Sequence, residues 1–228
     1  MVYIPFASLL GLQALFESFA QSRPELALTS IAPVHYIDPR PGGGSLLDKD
    51  SGGLGEPLNV IISGLSSPGV ISDGGFLHFA NGNGFGIECF GAHRGAPQTA
   101  NLGDGRGWVN QTIELRDDYG NPDVGSCWES LVGGNHLRMW RQTTTGALFL
   151  AVSEEDNVID GHTIRPDGYN LGRKSLVKSA LNLKSYKGVN YKTTAQDITG
   201  LLAPGSKGVN HGIATDGIVT LLVVTIVP

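Results

Sequence analysis

The clearest pattern of hydrophobic and polar positions runs along residues 135–141, where apolar and polar side chains alternate. Successive side chains of a strand point to opposite faces of its sheet. Leu137 and Met139 therefore share one face, and His136 and Arg138 share the other. The alternation predicts a strand with one apolar and one charged face.

A second strand follows after a polar connection. Residues 147–153 are apolar on both faces, which is typical of a central strand that is covered on both sides. The connection, residues 142–146, ends in glycine, as hairpin loops of this length often do. The two segments therefore predict an antiparallel hairpin.

Beyond Pro166 the hydrophobic period changes from that of a strand to that of a helix. The helical pattern ends near Leu183, with Asp167 or Asn170 as the candidate N-cap and Gly188 just past the end. This pattern predicts the longer of two helices.

The other predicted helix begins near residue 67. Ser67 suits the N-cap and Pro68 suits the first helical position. Gly74 and Gly75 together cost about 2 kcal/mol relative to alanine. We therefore expect this helix to be broken at the two glycines.

Further apolar segments rich in β-branched residues predict strands. These segments are residues 59–63, 85–90, 108–116, 189–198 and 216–227. The last is long enough to predict a buried central strand, whereas residues 127–132 fit either a helix or a strand. Two helices among these strands predict an α+β fold. We expect a single mixed or antiparallel sheet with two helices packed on one face, in a split βαβ-like topology with Gly-rich loops.

Composition agrees with a loop-rich protein that contains β structure, because the chain has 33 glycines, 12 prolines and only 16% charged residues. Its 228 residues suffice for one domain with its own core. Residues 21–57 are rich in Pro and Gly and predict an extended lead, and residues 58–228 predict a single α+β domain. The net charge of -5 provides no basic surface, so we expect no nucleic-acid partner.

Residues 1–20 predict a signal peptide. The segment is mostly apolar, and Ser18-Phe19-Ala20 has the small-x-small form of a cleavage site. The absence of Lys or Arg near Met1 and the presence of Glu17 favour the alternative, an amphipathic N-terminal helix. We expect a secreted, extracellular protein, and no membrane span in the mature chain because no long uncharged apolar run follows.

Secretion implies two covalent features. Cys89 and Cys127 are the two cysteines of the chain, and such a pair in a secreted protein usually forms a disulfide. Two buried free thiols in an intracellular protein are the alternative. Asn110, Gln111 and Thr112 form an Asn-x-Thr sequon, which predicts an N-glycan on Asn110 in a eukaryotic host.

One group of charged and polar residues is a candidate ligand cluster, because the hairpin and the loop after it could bring its members to one end of the sheet. It comprises His136, Arg138, His162, Arg165, Asp167 and Arg173. The arginines and histidines fit a small-anion or phosphate pocket, with Arg binding the anion and His acting as acid or base. Alternatively, His136, His162 and Asp167 could ligate a metal. The third interpretation is a polar network that only ties the helix to the hairpin. We assign no metal and no cofactor.

Other motifs carry less chemistry. The Gly-rich residues 103–107 lack the spacing and the Lys-Ser/Thr pair of a phosphate-binding loop. Neither Gly-x-Ser-x-Gly nor His-Glu-x-x-His occurs in the sequence. The acidic residues 154–156 could provide a carboxylate pair for glycoside hydrolysis, but three adjacent acids after a strand predict a solvated turn.

Part of the chain resembles the LssY C-terminal-type domain. The similar features are a strand with His, Arg and Trp, a second apolar strand, a histidine, an Asp-containing turn and a helix with an early Arg. They lie in residues 59–63, 136–141, 147–152 and 162–177. In bacteria this domain is joined to membrane proteins of phosphatase-like or transporter-like type. Its own activity is not established, so the resemblance implies no reaction. We expect no such membrane partner in this chain, which also carries long Gly-rich inserts.

The whole chain is similar to a group of small secreted fungal proteins of unassigned function. The similarity lies in Gly-rich stretches such as residues 41–44 and 201–205. It implies an extracellular location and no particular activity.

Two classes of function remain. The first is a secreted binding or structural glycoprotein that contacts a small ligand or a wall polymer. The second is a small hydrolase or a phosphate-binding or anion-binding enzyme that uses the His/Arg/Asp cluster. Exposed aromatic side chains at Trp108 and Trp128 favour the first class, and a deep pocket lined by His136 and His162 favours the second.

Overall fold

The protein has an α+β fold built on a mixed sheet of eight strands. The structure, a computed structural model, describes residues 34–89, 96–121, 124–161 and 163–228. Their strands are β1 (Val60–Ile62), β2 (Phe85–Gly86), β3 (Thr99–Asn101), β4 (Trp108–Asn110), β5 (Ile113–Asp117), β6 (Gly134–Arg141), β7 (Leu148–Glu155), β8 (Ser185–Tyr186), β9 (Val189–Ile198) and β10 (Val219–Val227). Their α-helices are α1 (Pro68–Ile71), α2 (Asp73–Gly82), α3 (Gly125–Val132) and α4 (Gly168–Asn182). The predicted α+β class is therefore confirmed.

The large sheet has the strand order β2-β5-β6-β7-β1-β10-β9-β8, and β3 and β4 form a separate two-stranded sheet. Within the large sheet β1 and β10 are parallel neighbours, and the other described pairings are antiparallel. A split βαβ unit would place another strand between the two parallel strands. The predicted split βαβ topology is therefore wrong, because β10 lies directly beside β1.

The hairpin is confirmed. Strands β6 and β7 pair so that Leu137 lies opposite Val152 and His136 lies opposite Ser153. Leu137 and Val152 are buried in a core on one face of the sheet. Phe149 is buried in a second core on the other face. Strand β7 is thus covered on both sides, as its apolar sequence predicts.

The first core, which we call the helix-side core, lies between the sheet and the helices. It contains Phe76 and Phe79 of α2 and Leu176 and Ala180 of α4, packed against alternate residues of the central strands. As predicted, Ser67 is the N-cap residue of α1 and Pro68 is its first residue. The helix is interrupted at Ser72 rather than at the two glycines. Ser72 has extended backbone angles, and its side chain accepts a hydrogen bond from Gly75 N. This N-cap starts α2 as a separate helix.

The second core, which we call the lead-side core, is covered by the Pro- and Gly-rich segment that precedes β1. Leu46 and Leu58 of that segment pack on the sheet together with Ala100 of β3 and with Leu102 and Leu202 of later loops. The segment from residue 34, which was predicted to be an extended lead, packs as part of the compact unit Pro33–Pro228.

Glycine allows this segment to approach the neighbouring loop. A Cβ atom on Gly44 would lie 2.1 Å from the carbonyl oxygen of Asn101, and one on Gly42 would lie 2.2 Å from that of Gly103. No side chain fits at such distances, so the glycine run at this point is a packing requirement.

The predicted strand over residues 108–116 is interrupted. Strand β4 pairs with β3 in the small sheet, whereas β5 pairs with β6 in the large one. Gln111 lies between them and exchanges hydrogen bonds with Gln98 beside β3. The chain therefore changes sheets at Gln111, so Val109 packs against the lead-side core and Leu115 lies in the helix-side core.

The predicted disulfide is present. Cys89, just after β2, is bonded to Cys127 in α3, and their Cα atoms are 4.6 Å apart. None of the helices in the described part of the chain is both long and apolar enough to cross a membrane.

Candidate functional site

The structure separates the members of the predicted ligand cluster. His136 and Arg138 lie side by side on the lead-side face of β6. Arg173 belongs to α4, which packs on the helix-side face. Arg165 is exposed and pairs with Glu154. His162 lies outside the described residues.

Asp167 occupies the N-cap position of α4, as predicted, but its side chain makes no capping hydrogen bond. It accepts a hydrogen bond from Asn170 Nδ2 instead. Its backbone is left-handed, with φ of 63°. Asp167 therefore shapes the start of the helix and does not join His136.

His136 is held between two carboxylates. Its side chain is 1% exposed, with Nε2 2.8 Å from Glu114 Oε1 and Nδ1 3.3 Å from Glu155 Oε1. Burial and the nearby Arg138 guanidinium favour the neutral ring, but Glu155 and Glu114 outweigh them and raise the pKa of His136. The two carboxylates therefore favour the protonated form of the His136 ring.

Two arginines complete the ionic network around His136. Arg138 donates to Glu56 at 2.8 Å and to Glu114 at 3.1 Å. Arg116 pairs with Glu155 at 2.9 Å and with Glu129 at 3.1 Å. Through Glu114 and Glu155, these pairs form one connected group.

The full set, which we call the buried ionic network, comprises Asp48, Glu56, Glu88, Glu114, Glu129, Glu155, Arg116, Arg138 and His136. Asp48 joins it by accepting a hydrogen bond from Glu56 N at 2.6 Å. Burial, reinforced by the Glu56 carboxylate, raises the pKa of Asp48 to about 8. Because carboxylates outnumber cationic side chains, the network repels anions and does not suit the predicted phosphate pocket.

The sequence gives only partial signs of this network. Alternation places His136 and Arg138 on one face of β6, and Glu114 lies on the polar face of its own strand. Asp48 and Glu56 resemble surface charges of a loop. The three adjacent acids at residues 154–156 predict a solvated turn. Glu155 instead belongs to β7, and its side chain accepts a hydrogen bond from Arg116. Nothing in the local sequence marks these acids as buried.

No group of three or more His, Cys, Asp or Glu side chains that could hold a metal ion is found among the residues the structure describes. In the network, Arg116 and Arg138 lie between the carboxylates and pair with them. The buried ionic network therefore consists mainly of carboxylates paired with arginine or histidine side chains.

Arg173 is also paired. Its guanidinium donates to both carboxylate oxygens of Asp216, each at 2.7 Å, and to the carbonyl oxygen of Ile218 at 2.8 Å. The hydrogen bonds from Arg173 lower the pKa of Asp216. This bidentate pair ties α4 to the start of β10.

A groove opens beside this pair, between α4 and strands β9 and β10. Its cavity volume is about 450 Å³. We call it the α4 groove, and it is lined by Arg173, Lys174, Val177, Lys178, Leu181, Asn182, Asp197, Ile218 and Thr220. Helical spacing places Lys174, Lys178 and Leu181 on one flank of α4. The groove thus combines an apolar floor with two lysines on its wall.

The charges of the α4 groove are unequal. Neither Lys174 nor Lys178 forms an ion pair with any carboxylate of the described chain. Arg173 is neutralised by Asp216, and Asp197 accepts a hydrogen bond from Thr220 Oγ1 at 2.7 Å. The two lysines outnumber the remaining carboxylate of Asp197, so the groove keeps a small net positive charge.

Two tryptophans are exposed at other places. Trp108 is 50% exposed, and Lys49 Nζ lies 5.6 Å from the centre of its ring. Trp128 is 56% exposed on α3, one helical turn from the exposed Leu131 and Val132. The predicted glycosylation site, Asn110, is exposed in β4 and accessible to a glycan.

Comparison of the chain with models of known protein families, with curated proteins and with solved structures finds no match.

Proposed function

We propose that the protein is a secreted glycoprotein with a binding role, and that it holds anionic ligands with an apolar portion in the α4 groove. The observation that carries this proposal is the pair of lysines, Lys174 and Lys178, beside an apolar floor. A ligand anion would gain a cationic partner there without displacing an existing ion pair.

The floor of the groove suits the rest of such a ligand. Val177 and Ile218 are partly buried, and Leu181 is exposed at the rim. Covering these side chains would contribute about 25 cal/mol for each Å² of apolar surface removed from water. The ligand class is therefore an organic anion rather than a bare inorganic one.

The hydrolase interpretation has less support. It depends on His136, which is buried, and on Arg138, which is partly buried, and both side chains are paired with carboxylates. A general acid or base must come within hydrogen-bond reach of its substrate. The closed surroundings of His136 leave no such approach.

The secreted location rests on the disulfide and on Asn110. Disulfides persist in oxidising compartments. An exposed sequon in a strand at the surface accommodates a glycan. Both features accord with an extracellular binding protein.

Titration calorimetry with decanoate tests the proposal. We expect saturable binding to the wild-type protein, and at least about tenfold weaker binding when Lys174→Glu and Lys178→Glu are combined, because two attractions become repulsions. The matched control combines Lys184→Glu and Lys192→Glu, which change the net charge equally at lysines that do not line the groove.

Two results would contradict the proposal. One is the absence of decanoate binding to the folded wild-type protein. The other is equal weakening by the groove variant and the control variant, which would reflect net charge rather than a site. Circular dichroism of each variant verifies that it is folded.

A further inference from the structure

Among the residues that the structure describes, most of the outer edge of strand β9 has no partner strand. On its inner side β9 pairs with β10 from Asn190 to Ile198. On its outer side β8 covers only Val189 and Asn190. The remaining outer edge therefore presents backbone groups that a further strand could pair with.

The direction of these backbone groups follows from one hydrogen bond. Tyr191 N donates to the carbonyl oxygen of Lys184, on the outer side of β9. Backbone groups alternate in direction along a strand. The N–H and C=O groups of Thr193, Ala195 and Asp197 therefore also point outward, and no described residue hydrogen-bonds with them.

The same residues face the helices. Tyr191 packs in the helix-side core. Since side chains alternate, Thr193, Ala195 and Asp197 lie on that face too. Asp197 also lines the α4 groove. Residues directly opposite each other in an antiparallel pair share a face. Alternate side chains of a strand added to β9 would therefore project toward α4.

We propose that an extended, acidic segment of a partner protein adds to β9 as a ninth strand and directs alternate acidic side chains toward Lys174 and Lys178. This inference rests on the proposed function and specifies its ligand. Backbone hydrogen bonds to β9 provide the general affinity, and the groove provides the preference for carboxylate side chains.

A second copy of the chain fits the edge less well. Two β9 strands paired antiparallel would be related by an axis perpendicular to the sheet, which places both α4 helices on the same side. Lys174 and Lys178 of the two copies would then face each other without an intervening anion. An acidic peptide avoids this repulsion.

The test uses a fluorescent peptide in which glutamate and valine alternate, and three forms of the protein. Ala195→Pro removes the outward N–H, which β10 does not use, and proline is tolerated on edge strands. Ala195→Val keeps the N–H and serves as the matched control. We expect the proline variant to bind the peptide at least about tenfold more weakly than the valine variant.

Decanoate separates this inference from the proposed function. We expect Ala195→Pro to bind decanoate like the wild type, and the combined variant Lys174→Glu and Lys178→Glu to bind both ligands more weakly than the wild type. If the proline and valine variants bind the peptide equally, or if the peptide does not bind while decanoate does, the strand addition is refuted and the groove function stands. Failure of both ligands to bind the wild type refutes both.

Amide exchange gives a readout that does not depend on the proline variant being folded. Peptide bound as a strand would slow the exchange of the outward amides of Thr193, Ala195 and Asp197 in the wild-type protein. Unchanged exchange at these amides under saturating peptide would overturn the inference.

Discussion

The buried ionic network allows a sharp prediction for Arg138→Leu. The substitution removes the side chain that lies between Glu56 and Glu114, which it contacts at 2.8 and 3.1 Å. Leucine supplies no hydrogen bonds. The carboxylates of Glu56 and Glu114 then lose their cationic partner. Asp48 also interacts electrostatically with the Arg138 guanidinium.

The expected loss of stability is large. The Arg138 side chain is 13% exposed, and its two partners are 5% and 7% exposed, so solvent screens the charges poorly. Removing one partner of a buried ion pair costs about 3–5 kcal/mol, because the other charge remains buried without compensation. We therefore expect the free energy of unfolding of Arg138→Leu to fall by about that amount near neutral pH.

Urea unfolding, followed by circular dichroism, measures the change. Arg165→Leu is the matched control, since Arg165 is 44% exposed and pairs with Glu154 at the surface. Exposed pairs contribute about 0–1 kcal/mol. The two variants remove the same kind of side chain and differ in the burial of its partners.

The deficit of Arg138→Leu should also become smaller at low pH, where protonation removes the unpaired carboxylate charge. Equal effects of the two arginine substitutions would refute the reasoning. So would a deficit for Arg138→Leu that stays constant between about pH 5 and pH 7.5, because the cost would then come from packing rather than charge.

Three further predictions concern other parts of the molecule. The pKa of Asp48 is raised from 3.8 to about 8 on folding, so its contribution to stability is full below pH 3.8 and is lost as pH rises through 8. Asp48→Asn should therefore gain stability relative to the wild type over that range in urea unfolding, and a constant difference would contradict this. Replacing Cys89 and Cys127 by serine should lower the unfolding free energy by about 4 kcal/mol in the chain-entropy model, for the sequence separation of 38, and calorimetric melting checks it. Asn110→Gln should abolish a glycosidase-sensitive mobility shift of protein secreted from a eukaryotic host, and a wild-type protein without that shift would exclude the glycan.

The pattern of apolar and polar residues along the chain is sufficient to predict the central strands of the sheet. The hairpin of β6 and β7 follows from alternation in one strand and apolar continuity in the other. Strand β10 was predicted to be central from its length and β-branched content, and it lies between β1 and β9. These features depend on short-range periodicity, which the sequence carries directly.

The parts that could not be predicted depend on contacts between distant segments. The cover over the lead-side core comes from residues such as Leu46, whose surroundings of Gly and Pro resemble a plain loop. Glu56 is buried and Glu155 is partly buried, and the arginines that pair with them, Arg138 and Arg116, come from strands β6 and β5. The α4 groove likewise combines one flank of a helix with Asp197 of β9. No local motif in the sequence predicts that these two segments lie side by side.

The parallel pairing of β1 with β10 has a consequence for synthesis in the cell. Val60 pairs with Thr220, so most of the chain is made between the two partners. Strand β1 is apolar throughout and emerges early from the ribosome, whereas its neighbour emerges late. Contacts so far apart in sequence form slowly and leave strand edges open in the meantime. The centre of the sheet therefore cannot close until β10 has been made, and until then the edge of β1 is open to other strands.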